Sequence, residues 1–263
     1  MVLSPDGFRR GSVWYPKSTV LNHIGTKLFR SNKESDVAFT VGSSGKLFKA
    51  HKCVLALSSA TLYELVLTKS NDNNEESHEI NITLADIDET VFEKILEFIY
   101  TGKYPDISKY DEESVKDIFL TADRLDCTDL KLYAESVLIE KHLVSSNAAE
   151  MMLFADSHSF ALLKEASMNE YATDPKIVMA SEGGWSKLTE SKDLIIELLV
   201  YINLDRKTYS SVANSSPLED LDTLDVTSLR ERLQMANLDC DGSREMLVKR
   251  LKVDDNWCVW WGQ

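Results

Sequence analysis

The sequence predicts an α+β protein in which a small mixed sheet is layered with helices and followed by an all-helical region. Three observations predict it. Residues 35–59, SDVAFTVGSSGKLFKAHKCVLALSS, pass from a two-residue apolar repeat through a tight turn into helical spacing. Only 10 glycines and 5 prolines occur in 263 residues, too few for a turn-rich all-β chain, and 43% apolar residues supply a core. Residues 145–202 contain no alternating stretch and read as stacked helix pairs.

Residues 1–18 mix Gly, Pro, Arg and aromatics without a period and are expected to form a flexible N-terminal segment. From Thr19, Val20, Leu21, Ile24, Leu28 and Phe29 make one apolar helical stripe. A stripe does not name its partner, so it packs either on its own domain or on a second copy. Val37, Phe39 and Val41 then alternate with Asp36, Ala38 and Thr40 as a strand. Gly42-Ser43-Ser44-Gly45 is a turn, residues 47–50 return as the second strand, and from His51 the residues Val54, Leu55 and Leu57 take helical spacing. Ser58 and Ser59 cap a helix beginning near Ala60, with Leu62, Leu65 and Val66 inward.

Residues 68–79, TKSNDNNEESHE, read as an exposed loop. Ile80, Ile82 and Leu84 add a third strand. Val91, Phe92, Ile95, Leu96 and Ile99 mark a helix ended by a left-handed cap at Gly102. Two more helices follow, carried by Val115, Ile118, Phe119 and Ala122 and by Leu130, Tyr133, Ala134, Val137 and Leu138.

In the helical region one face holds Ala148, Met151, Met152 and Ala155, a second Phe160, Leu163 and Ala166, and a third Leu194, Ile195, Leu198 and Leu199. Residues 203–224 are polar and acidic and read as a linker. Residues 225–252 pair a helix bearing Leu229 and Leu233 with one bearing Leu247 and Leu251 through a turn at 237–242. Residues 253–263 add Trp257, Trp260 and Trp261 as a docked apolar tail.

Composition removes several function classes. Against 29 Lys and Arg stand 43 Asp and Glu, a formal charge of −14 that repels phosphate backbones and anionic membranes at long range. No apolar run reaches the length of a membrane span, and MVLSPDGFRR lacks the apolar core of a signal peptide, so an intracellular, non-membrane chain is expected. Cys53, Cys127, Cys240 and Cys258 are scattered and expected to be free thiols. Lys46 is followed by Leu47 rather than Ser or Thr, and by a strand rather than a helix, so the Gly-rich turn is no phosphate loop. His51 and Cys53 have no second ligand cluster among His23, His78, His142 and His158, so a buried, hydrogen-bonded histidine is expected and no metal. With no nucleophile elbow and no activated cysteine, the reading is a non-enzyme with no cofactor.

SDVAFTV, FKAHKCVLALSS, VFEKILEFIYTGKY and TADRLDCTDLKLYAESVL stand in the order and spacing of a BTB (POZ) domain, which the sequence resembles over residues 19–142. The likeness is greatest to the BTB domains of speckle-type POZ proteins, although no MATH pattern is read here. NAAEMMLFADSHSFALLKEAS resembles the 3-box or BACK extension of ubiquitin-ligase adaptors, here residues 143–202. The 225–252 hairpin resembles a SAP motif, with Gly242 and Leu247 in place and Asn237 where that family has Gly.

These resemblances imply partners. A homodimer would use Leu21, Ile24 and Leu28 together with Asp36, His51 and Lys52. A cullin scaffold would be gripped by the loop after the second core helix, where the family has an apolar residue, any residue and Glu; here the triplet is Ser70, Asn71 and Asp72, with Leu125 and Asp126 as further contacts. Losing the apolar anchor, worth about 2 kcal/mol at an interface centre, weakens such a contact tens-fold. The SAP likeness implies weak DNA contact through Arg230, Arg244, Lys249 and Arg250, because six basic side chains there face five acidic ones. A hairpin used for packing or protein contact is the alternative. Two functions remain open: a substrate adaptor of a cullin-based ubiquitin ligase, or a nuclear self-associating scaffold on DNA without a cullin. The first places the protein in nucleus or cytoplasm, its unidentified substrate held by the N-terminal segment, the hairpin or the Trp tail.

Overall fold

The computed structural model describes residues 22–31, 33–72, 79–181, 183–208 and 221–261. The chain divides between Val137 and Leu138 into two units. The expected flexible segment 1–18, Val20 and Leu21 lie outside the described residues.

The first unit begins with helix α1 (Asn22–Ser31), then strands β1 (Val37–Val41) and β2 (Lys46–Ala50), helices α2 (Lys52–Ser58) and α3 (Ala60–Asp72), and strand β3 (Ile80–Leu84). Helices α4 (Glu89–Thr101), α5 (Glu112–Arg124) and α6 (Thr128–Val137) complete it. The three strands lie in the order β2-β1-β3. β1 pairs antiparallel with β2, Phe39 opposite Phe48, and parallel with β3, Phe39 opposite Ile82. A parallel neighbour needs a crossover, and β2, α2 and α3 supply it.

Val37, Phe39 and Val41 of β1 are wholly buried, as the alternation predicts, but Ala38 on the opposite face is buried as well, because β1 is the central strand. The rings of Phe39 and Phe48 both meet Phe92 of α4 with centroids 5.3 Å apart. Burying a phenyl ring of this kind is worth about 2–3 kcal/mol, so this trio is a centre of the unit. The turn works because Gly42 and Gly45 have φ of 72° and 70°, a region side chains disfavour. α4 starts at Asp88, whose carboxylate accepts from Thr90 N and Val91 N, and ends at Gly102 with φ 61°. Ser59 accepts from Leu62 N at 3.1 Å, the cap expected for α3. The loop expected over 68–79 is corrected in part, since α3 continues to Asp72. Thr68 and Ser70 donate to Glu64 O and Val66 O, so their polarity is satisfied on the helix itself.

The second unit opens on a π-helical turn (Leu138–His142) and continues as α7 (Ala148–Ser157), α8 (Ala161–Thr173), α9 (Pro175–Met179), α10 (Gly184–Glu190) and α11 (Lys192–Thr208). After a 3-10 turn (Leu221–Thr223) come α12 (Val226–Met235) and α13 (Arg244–Trp261). Ala148, Met152, Leu194 and Leu198 belong to one core. Leu199, read as inward, is 53% exposed. α11 carries its buried edge on Leu194 and Leu198, one turn apart, and Leu199 lies 100° further round. α11 also runs past Asn203, where the linker was expected to begin.

Leu229, Leu233, Leu247 and Leu251 are buried as the hairpin pattern requires. Asp225 caps α12 by accepting from Ser228 N at 2.7 Å. Asn237 has φ 55°, so it occupies the left-handed position where the resembled family has Gly, and Asn is the side chain that tolerates it. The backbone of the Trp-rich tail is helical through Trp261, and its side chains beyond Val253 lie outside the described residues. No described helix is long and apolar enough to cross a membrane.

Candidate protein-interaction site

The residues read as dimer contacts converge where α1, β1, α2 and α4 come together. Asp36 Oδ1 accepts the Lys52 N–H at 2.7 Å and so caps the first turn of α2. Its backbone joins the sheet: Asp36 N donates to Ala50 O and Ile80 N donates to Asp36 O. His51, between Ala50 and Lys52, is buried. Its Nε2 lies 2.7 Å from Lys33 O, and because a carbonyl only accepts, Nε2 carries a proton. Its backbone N–H donates to the Tyr100 hydroxyl at 2.7 Å, and Nδ1 lies 2.7 Å from the same oxygen. With the proton on Nε2, the Tyr100 O–H is free to turn toward Nδ1. Burial pushes the Tyr100 hydroxyl well above its ordinary pKa, so it stays a donor throughout the physiological range.

Tyr100 also holds α1. Its ring lies 5.6 Å from that of Phe29, and a Cβ on Gly25 would sit 1.7 Å from Tyr100 O. α1 therefore packs on α4 through a glycine-permitted backbone approach. That leaves its other side outward: Ile24 is 61% exposed, while Leu28 is half-buried. Leu21 lies outside the described residues. Sequence reasoning missed Leu57, which is 90% exposed on α2. The signal was available, because Leu55 and Leu57 are two positions apart, about 200° around a helix, and cannot both face inward. Tyr100 was missed as well, hidden within an apolar stripe.

The residues read as cullin contacts divide. Ser70 is half-buried and its hydroxyl turns back to Val66 O at 2.7 Å. The side chain of Asp72 lies outside the described residues. Leu125 requires correction: it is 1% exposed, its side chain consumed by its own core, and its carbonyl takes the Ser59 hydroxyl at 2.5 Å. Asp126 is exposed, with φ 55° where α5 ends. Next to it, burial together with Asp126 and Asp129 pushes the Cys127 thiol up to about 12.

The hairpin cations are largely committed within the fold. Arg230 is wholly buried, with Nε donating to Cys240 O at 3.1 Å, which corrects its reading as a DNA contact: it braces the turn. Arg250 donates to Asp239 O and Asp241 O and pairs with the Asp239 carboxylate at 2.7 Å. Arg244 donates to Asp222 O at 3.1 Å, and Lys249 is exposed.

A family model described as BTB/POZ domain matches residues 26–142. The chain is 29% identical over 220 residues to BTB/POZ and MATH domain-containing protein 3 of Arabidopsis thaliana, covering 78% of this chain and 52% of that protein. It is 30% identical over 194 residues to TD and POZ domain-containing protein 4 of Mus musculus, covering 71% of this chain and 48% of that one. The chain thus spans about half the length of these curated relatives. Among solved structures it is similar to the BTB domain of human gigaxonin, at 25% identity and a TM-score of 0.32, covering 46% of this chain and 97% of that one.

Proposed function

With residues 26–142 a BTB/POZ domain, of a family whose members act as protein-interaction adaptors and often self-associate, we propose that this chain is a dimeric adaptor holding a protein substrate beside a cullin-based ubiquitin ligase. The observation that carries the reading is the order of parts: a BTB domain followed directly by the helical extension α7 to α11. An adaptor performs no bond chemistry; it raises the effective concentration of one protein at another. Such a role places the chain in nucleus or cytoplasm.

Two features of this chain set the terms. Ile24 and Leu57 leave apolar surface outward on α1 and α2, which supports pairing with a second copy. Ser70 presents no apolar knob, since its hydroxyl is bonded to its own helix, so the cullin contact is weaker than an anchored one. The scaffold-on-DNA reading loses support at Arg230 and Arg250, whose guanidinium groups bond the hairpin's own carbonyls.

The test is cullin binding by the purified chain and by Ser70→Met. The native chain is expected to bind, and the variant tens-fold more tightly. Binding by the variant alone would sink the adaptor reading and leave a self-associating BTB protein.

A further inference from the structure

The C-terminal hairpin is docked, and the turn that closes it brings reactive atoms together. Leu229, Leu233, Leu247 and Leu251 share one core with Ala161 and Leu162 of α8. Glu165 of α8 accepts the N–H of Val226 at 2.8 Å and lies 4.0 Å from Arg244, so one carboxylate meets the starts of α12 and α13. In the turn between those helices, Asp241 N donates to Asp239 Oδ1 at 3.0 Å. Gly242 N donates to Oδ1 of Asp241, the residue before it, at 2.7 Å. Gly242 has φ 107°, and a Cβ there would sit 3.0 Å from Met246 Sδ, so conformation and space both call for glycine.

Arg250 of α13 reaches back over this peptide. Its Nη1 donates to Asp239 O at 3.2 Å and to Asp241 O, and its Nη2 pairs with the Asp239 carboxylate at 2.7 Å. Asp241 O is the carbonyl oxygen of the Asp241–Gly242 peptide bond, so a fixed cation lies where negative charge gathers when the Gly242 nitrogen gives up its proton. Only that deprotonated nitrogen is a nucleophile. It already lies against the carboxyl group it would attack, and closing a five-membered ring needs no distant partner. Asp241 keeps partial exposure, which suits a reaction that releases and takes up water.

We propose that Asp241–Gly242 is a self-modification site, converted from an aspartyl to an isoaspartyl linkage through a succinimide. In the first step a bond forms between Gly242 N and Asp241 Cγ and one Cγ–O bond breaks. The oxygen leaves as water, carrying the peptide N–H proton and one proton from solvent. In the second step water opens the ring. Attack at Cγ restores aspartate; attack at the main-chain carbonyl carbon breaks the original peptide bond and leaves the chain joined through Cγ, with that carbonyl carbon now a carboxylate. Nothing is oxidised or reduced. The main chain gains one atom within the stretch that Arg250 ties at Asp239 and Asp241, so conversion loosens the turn and with it the seat of α12 and α13 on α8. The site does not rest on the cullin reading.

Incubating the full chain, folded and unfolded in urea, at one temperature and pH tests it. After digestion, isoaspartate at position 241 is measured by mass spectrometry and by isoaspartyl methyltransferase labelling. A rate set by the Asp-Gly pair alone is greatest in the unfolded chain, where the pair moves freely. The assembled site is instead expected to convert about tenfold faster in the folded chain. Equal or slower conversion in the folded chain overturns the proposal. Arg250→Gln removes the cation and should lose that advantage; an undiminished rate in the folded variant overturns it equally. Should Arg250→Gln fail to fold, the comparison of folded with unfolded native chain decides alone. In the converted chain, hydrogen exchange of α12 and α13 should rise relative to α4, and unchanged protection would overturn the loosening.

Discussion

His51 shows how far a single residue can be understood from sequence. Its isolation from other metal-ligating side chains pointed to a buried, hydrogen-bonded imidazole, and that is its state. The partner was illegible, because Tyr100 lies 49 positions away and no local pattern joins the two. The Tyr100 hydroxyl serves both the backbone and the ring of His51, so Tyr100→Phe keeps the packing on Phe29 while leaving buried polar atoms unserved. A loss of about 1–3 kcal/mol in urea unfolding is expected, without change in far-ultraviolet circular dichroism. The cysteines offer a second check. Cys53 is exposed, whereas burial holds the Cys127 thiol near 12, so alkylation at pH 8 should modify Cys53 and spare Cys127 until the chain unfolds.

At the scale of elements, periodicity found the three described strands and most of the described helices, because burying one face is what the repeat encodes; α9 and α10, of 5 and 7 residues, are too short to show a repeat and were missed. It failed where a face is shared or a polar side chain satisfies itself. Leu57 and Leu199 have the residue type of a core position and the angle of a surface one. Residues 68–72 look like a loop in composition, yet Thr68 and Ser70 bond back to their own helix. The close approach of α1 to α4 carried no apolar signal, since it depends on what Gly25 lacks. Gly25→Ala sets a methyl against Tyr100 O and is expected to detach α1, exposing Phe29 and raising hydrogen exchange in residues 22–31. Phe92→Ala, by contrast, empties the space between Phe39 and Phe48 and should cost about 3–5 kcal/mol of global stability, read by chemical denaturation.

For the whole molecule, the part over residues 26–142 was legible because four motif blocks in order carry it. The docking of the hairpin on α8 was not, since Glu165 and Val226 are 61 positions apart and the acidic stretch between them reads as a tether. The hairpin's own folding was nonetheless clear from its four leucines, so what sequence missed was their shared core with Ala161 and Leu162. Self-association through the BTB domain is the claim on which the adaptor reading depends, and Ile24 is the exposed apolar residue of α1 that tests it. Sedimentation velocity of the full chain from low to high micromolar concentration, beside Ile24→Arg, is the most direct measurement. The account predicts a native species of twice the 29.7 kDa chain mass and a variant that dissociates while retaining its circular dichroism spectrum. A native chain that sediments as a single copy at every concentration would contradict it.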